Sequence, residues 1–110
     1  MLRDYARLGR LLACDGAWED KQVVPAQWML DATAVKSADS YLAPDIAMQK
    51  PGYGYLLWLL PAPRRQFAMV GALGQRVCVD PASKLVMVQT ALDDTPEVWG
   101  LWRTLAQQFE

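Results

Sequence analysis

The side chains able to do chemistry in this sequence are few, and the missing residue types narrow them further. There is no His and no Asn anywhere in the 110 residues. Without an imidazole, neither a Ser-His-Asp nor a Cys-His nucleophile can be assembled, and a zinc site loses its usual nitrogen ligand; no metal and no cofactor are expected. The two thiols, Cys14 and Cys78, are too distant in sequence for a C-x-x-C redox or metal pair. They leave a single disulfide or two packed thiols, and buried thiols are the better reading. Two carboxylates, Asp39 and Asp45, fall in an irregular stretch over 36–52, a long loop that could carry them to a substrate as a lid. Tyr53 opens the aromatic run that follows, where its ring would pack in a core or line a cleft. Gly71, Ala72, Leu73 and Gly74 interrupt an apolar run, which predicts a bulge or kink in one strand.

Composition bounds what can position these groups. A chain of 110 residues is one domain or part of one; 53% hydrophobic against 21% charged supplies ample material for a packed core. Eleven basic against twelve acidic residues, a formal charge of −1, offer no field for a nucleic-acid backbone. The five Trp lack the basic neighbours of a base-stacking platform and fit packing instead. No run approaches the roughly 18 to 20 apolar residues of a membrane helix, so no membrane partner is expected. The N-terminus has no signal-peptide layout, and the compartment is open between cytoplasm and periplasm.

Apolar periodicity predicts a helix over 2–13, with Tyr5, Leu8 and Leu12 on one face, Arg3, Arg7 and Arg10 on a solvated one, and Gly16 ending it. No capping side chain precedes Leu2, which reads as a chain cut open. A second helix begins at Pro25 and fades near Lys36. Residues 53–60 read as one buried strand, 67–79 as a second interrupted at Gly71, and 84–91 as its hairpin partner beyond the turn Asp80-Pro81-Ala82-Ser83. The last helix is capped by Asp94 or Thr95, has Pro96 in its first turn, and carries the stripe Val98, Trp102, Leu105, Phe109. The expectation is an α+β chain, ordered α-α-loop-β-β-β-α, with a three-stranded antiparallel sheet and the last helix packed on it. Such a meander exposes two edges, so further strands are expected from absent N-terminal sequence or from a second copy.

These pieces, in order, resemble a known family. Leu2-Arg3-Asp4-Tyr5-Ala6-Arg7-Leu8-Gly9-Arg10-Leu11-Leu12, Gly16-Ala17-Trp18 and Val23-Val24-Pro25-Ala26-Gln27-Trp28 are similar to the post-catalytic helices of the serine β-lactamase-related hydrolases. That family includes class C β-lactamases, penicillin-binding-protein-like esterases and 6-aminohexanoate-dimer hydrolases. Tyr53-Gly54-Tyr55-Leu56-Leu57-Trp58 resembles its Tyr-Gly-Tyr-x-x-Trp strand, and Gly71-Ala72-Leu73-Gly74-Gln75 with Val77-Cys78-Val79-Asp80-Pro81 its Gly-x-x-Gly-Gln strand and closing hairpin. The resemblance spans nearly the whole chain and implies part of a β-lactamase/transpeptidase-like fold, with 1–110 the C-terminal part of a single domain. The family's nucleophile sits in S-x-x-K, where a Lys serves as base, with a Tyr-x-Asn second motif. Ser37, Ser40 and Ser83 are followed three places on by Ser40, Ala43 and Val86, so the nucleophile is expected upstream of Met1.

What the resemblance assigns to this chain is the strand bearing the third motif. It implies that the backbone N–H of Ala72, between Gly71 and Leu73, is one oxyanion donor; Gly74, Gln75, Tyr53 and Asp45 are the candidates for the substrate cleft. The Lys of the lactamases' Lys-Thr-Gly is absent here, so a small amide or ester is the expected substrate, cleaved through an acyl-enzyme once the missing part is supplied; the chain alone is expected to be inert. The alternative is a small non-catalytic α+β module that self-associates or binds a partner through its sheet edge.

Overall fold

The first helix forms where the apolar spacing places it: α1 runs Leu2–Ala13, with no side-chain cap at Met1 and Asp4 held by Arg7 at 2.9 Å. The structure, a computed structural model, describes residues 1–110. Only Gly9, Leu12 and Ala13 of α1 are buried, so its first two turns stand in solvent with Leu2, Tyr5 and Leu8 exposed. Gly9 is the point of contact with the sheet, since a Cβ there would collide with Val86 Cγ1. A short hairpin follows, β1 (Ala17–Trp18) and β2 (Lys21–Gln22), too brief to leave a pattern in the sequence. Then α2 runs Ala26–Ala32 and stops at Thr33, several residues before Lys36. Two hydrogen bonds explain the early stop. The Thr33 hydroxyl donates back to Met29 O at 2.7 Å, and the Ala32 carbonyl accepts Tyr55 N–H at 3.0 Å, a partner from across the fold in place of the next helical N–H.

The stretch after α2 contains a 3₁₀ helix at Ser37–Leu42 and a bridge between Asp45 and Lys50. The sheet has five strands where three were expected. In order across the sheet they are β3 (Gly52–Tyr53), β4 (Trp58–Leu59), β5 (Phe67–Val70), β6 (Arg76–Asp80) and β7 (Leu85–Gln89), each antiparallel to its neighbours. Two corrections account for the difference. Residues 53–60 are not one strand: Gly54 N–H bonds Leu57 O at 2.8 Å, Leu56 turns left-handed at φ 63°, and the chain doubles back so that Tyr53 faces Trp58. Residues 71–75 do not kink a continuing strand either. They reverse it, with Val70 opposite Arg76 and Phe67 opposite Val79. The turn at Asp80 forms as its Asp-Pro chemistry predicts, leading Asp80 to pair with Leu85.

The two sheet faces hold separate cores. Alternation along β6 sends Val77 and Val79 toward α1, where they meet Leu12, Ala13, Met29, Leu59 and Phe67. It sends Cys78 to the other face, against Leu60, Ala68 and two residues of the last helix, α3 (Glu97–Gln107). Burying a side chain such as Phe67, which is fully enclosed, contributes about 1.5 to 3 kcal/mol. The buried stripe of α3 is Val98, Trp102 and Ala106; Leu105 and Phe109 are exposed, a rotation of the expected face. Neither expected cap acts on α3, because Asp94 is paired with Arg76 and the Thr95 hydroxyl accepts from Gln89 at 3.3 Å.

Candidate functional site

The hairpin at 71–75 is the site to which the sequence assigns chemistry, and its backbone is held from several sides. Gly71 N–H donates to Gln75 O at 2.8 Å, closing the loop, and Ala72–Gly74 form one 3₁₀ turn. Within that turn Leu73 adopts φ 60°, a left-handed conformation that strains a residue with a Cβ, and its side chain is 60% exposed. Gly74 is buried at φ +87°, and a Cβ on it would meet Asp93 O at 2.6 Å. Its carbonyl accepts from Gln89 Nε2 at 2.8 Å, fastening the hairpin to the end of β7. Gln75 completes the brace: its Nε2 donates to Ala91 O at 2.5 Å while its Oε1 accepts Ala91 N–H at 3.1 Å, so both ends of the amide grip the backbone of one residue just beyond β7.

What remains free is backbone. Gly71, Ala72 and Leu73 are exposed, and Ala72 N–H takes part in none of the turn and loop hydrogen bonds. Beside the hairpin, on the α1 face, lies a cavity of about 350 Å³ bordered by Tyr5, Leu8, Met69, Gly71 and Gln75. Ala72 itself does not line that cavity, whose border on this turn is Gly71 and Gln75; an N–H on a turn braced in this way can polarise a carbonyl oxygen brought to it without moving to do so. The hairpin holds no nucleophile and base in contact, so it cannot open an acyl bond unaided.

The other residues assigned to the cleft are elsewhere. Tyr53 is on β3, separated from β5 by β4, and its ring packs edge-on against Trp58 at 4.8 Å between centroids. Asp45 accepts Met48 N–H at 3.1 Å and shapes its own loop. Neither borders the cavity beside the hairpin. Asp39 is half-buried within the 3₁₀ helix that follows α2. The cysteines are both free thiols; burial pushes the Cys78 thiol up to about 12, partly offset by the Arg76 charge, which makes it a packing group and not a nucleophile.

Sequence reading passed over the support beneath the hairpin. Arg76, the residue after Gln75, is buried, donates through Nη2 to Asp94 Oδ1 and through Nη1 to Thr95 O at 3.3 Å, and lies over the Trp99 ring at 4.7 Å. The one available signal was a guanidinium interrupting an apolar strand, which demands an acid nearby.

No family model and no curated protein matches the chain. Among solved structures, it is similar to one titled "Putative 6-aminohexanoate-dimer hydrolase from Bacillus anthracis", at 24% identity and a TM-score of 0.72 over 97% of this chain. The chain spans only 27% of the length of that structure. The likeness is one of fold alone: these residues are arranged like part of that structure.

Proposed function

We propose that this chain is the C-terminal portion of a serine hydrolase that cleaves a small amide or ester through an acyl-enzyme, supplying the oxyanion strand and one wall of the cleft. The observation that carries the reading is a hairpin braced by Gln75 and Gln89 in which Ala72 is exposed and its neighbour Gly71 borders a cavity. Likeness of fold to the Bacillus anthracis protein supports it, as do Tyr5 and Leu8, exposed apolar residues of α1 bordering that same cavity.

In this reading the nucleophilic hydroxyl and its base come from a complementary chain. The hydroxyl oxygen attacks the substrate carbonyl carbon and passes its proton to the base, and the carbonyl π pair moves onto oxygen. Ala72 N–H donates to that oxyanion, with a second donor at the nucleophile. Collapse expels the amine or alcohol, which takes the proton, and water then releases the acid from the acyl-enzyme.

Ala72→Pro is the direct test, because it deletes only the donor: Gly71 already has the extended ψ of 171° that a following proline requires, and Ala72 opens a helical turn. With the complementary chain bearing S-x-x-K and Tyr-x-Asn supplied, a chromogenic ester is expected to turn over. The proline variant should lower kcat by about 10²- to 10³-fold and Ala72→Ser, which keeps the N–H, should not. A folded complex without turnover, or one indifferent to the proline, rejects the reading.

A second reading has its own observation. The edge strand β7, Leu85–Gln89, has five residues, no proline and no charge, so nothing on it discourages pairing with a second copy or a partner strand. Sedimentation separates the two: a concentration-dependent dimer that Val88→Pro abolishes favours the assembly module.

A further inference from the structure

The α3 face of the sheet holds a second cavity, of about 360 Å³, and its lining is selective. That volume falls in the range of small-molecule sites, roughly 300 to 1,000 Å³. Three indoles, Trp58, Trp99 and Trp102, wall it, and Arg103 is the one charged residue on its border. Gln66 lies at the border too, 5% exposed. Its Oε1 accepts Trp102 Nε1–H at 3.1 Å, and since an indole N–H can only donate, the orientation of the amide follows. The Gln66 Nε2 therefore points away from the indole, and it has no hydrogen-bond partner in the chain although it is not sealed from solvent. Arg103 commits Nη1 to Gln49 Oε1 at 2.7 Å and keeps its remaining N–H groups.

An unpartnered amide donor and a guanidinium, set against aromatic walls with no acid on the border, match one ligand chemistry. We propose that this cavity binds a small carboxylate with an aromatic body, the carboxylate accepting from Arg103 and Gln66 and the ring packing among the indoles. The site is on the opposite face from the 71–75 hairpin and shares only Val70 with the hairpin cavity, so it stands whether or not the chain serves a hydrolase.

The probe is 3-phenylpropanoate, titrated into the full chain while indole fluorescence and the Trp102 Nε1–H resonance are followed. Saturable binding that moves the Trp102 resonance is expected, with the neutral 3-phenylpropanamide weaker by about tenfold, the equivalent of one hydrogen bond to a charged group. Arg103→Met, at an exposed helix position, should weaken the acid by a similar factor and leave the amide's affinity unchanged. Gln66→Glu keeps an acceptor for Trp102 and turns the free donor into a carboxylate, so it should abolish binding of the acid. Absence of saturable binding, equal affinity for acid and amide, or insensitivity to both substitutions would overturn the proposal.

Discussion

The strand β6 buries a charge at each end on the same face, and the two ends solve the problem differently. At its C-terminal end Asp80 is fully buried, and its Oδ2 accepts from Arg64 Nε at 3.0 Å, from Arg64 Nη2 and from Ser83 Oγ at 2.9 Å, while Oδ1 has no partner. Arg64, only 24% exposed, also reaches Phe109 O at 3.2 Å, so this pair ties the turn before β5 to the end of the chain. At the N-terminal end the buried member is Arg76, 3% exposed, and its partner Asp94 is 72% exposed on the loop before α3. One end is a clasp closed on the inside, the other a buried cation leaning out to a solvated acid. The lesson is that the cost of losing the partner depends on the length of the residue left behind. A carboxylate on one methylene cannot leave its site, whereas a guanidinium on a three-carbon stem can swing toward water.

Matched removal of the outer partner tests this difference directly. Arg64→Ala strands Asp80 without a cation and should destabilise by about 3 to 5 kcal/mol in urea unfolding at neutral pH, the largest effect expected of the set. Asp94→Ala should cost only about 1 kcal/mol, because Arg76 retains Thr95 O and the Trp99 ring and can reach solvent. Equal losses would break the comparison. Salt offers a way to sharpen it: between low salt and 1 M the cost of Asp94→Ala should shrink while that of Arg64→Ala stays nearly constant, since of the two ends of β6 only the solvated one is screened.

The remaining effect, absent at neutral pH, concerns Cys78, which stands between the two charges in the same row of β6. Its folded pKa is raised by burial from 9.0 to about 12, so the folded state keeps a proton that the unfolded chain loses. Its contribution to stability is therefore complete below about pH 9 and is lost as pH rises from there toward about 12. Cys78→Ala should flatten that alkaline decline while lowering stability at pH 7 through the cavity it leaves. At pH 8 a disulfide reagent should label Cys14, which is partly exposed, well before Cys78 in the folded chain.

Where elements are specified by neighbours in sequence, they were readable. The apolar spacing of 2–13 locates α1, the alternation of Val77 and Val79 locates β6, and Asp80-Pro81 locates the tight turn after it. The two hairpins that make the sheet five-stranded were not readable as reversals, because the glycines at 71 and 74 fit a kink as well as a turn and each turn also passes through a leucine. Leu56 and Leu73 both sit at positive φ, a conformation a leucine enters only when surrounding contacts hold it there, so the apolar run around Leu56 gives no local notice of reversal. The candidate site divides along the same line. Gly71 to Gln75 stand out in sequence as a unit, yet Gln75 is spent on Ala91, sixteen residues on, and Tyr53 and Asp45 are outside the cavity that Gly71 borders.

The sequence by itself determined which chemistries are closed to this chain, since no fold can supply an imidazole that is not encoded, and it determined the helices and strands whose hydrophobic period is local. Tertiary structure alone decided where the chain reverses, which charges are buried at the two ends of β6, and which Gln66 nitrogen is left open to a cavity. Each of those depends on a partner distant in sequence, and the free energy of such a pairing exists only once both partners have been carried to the same place.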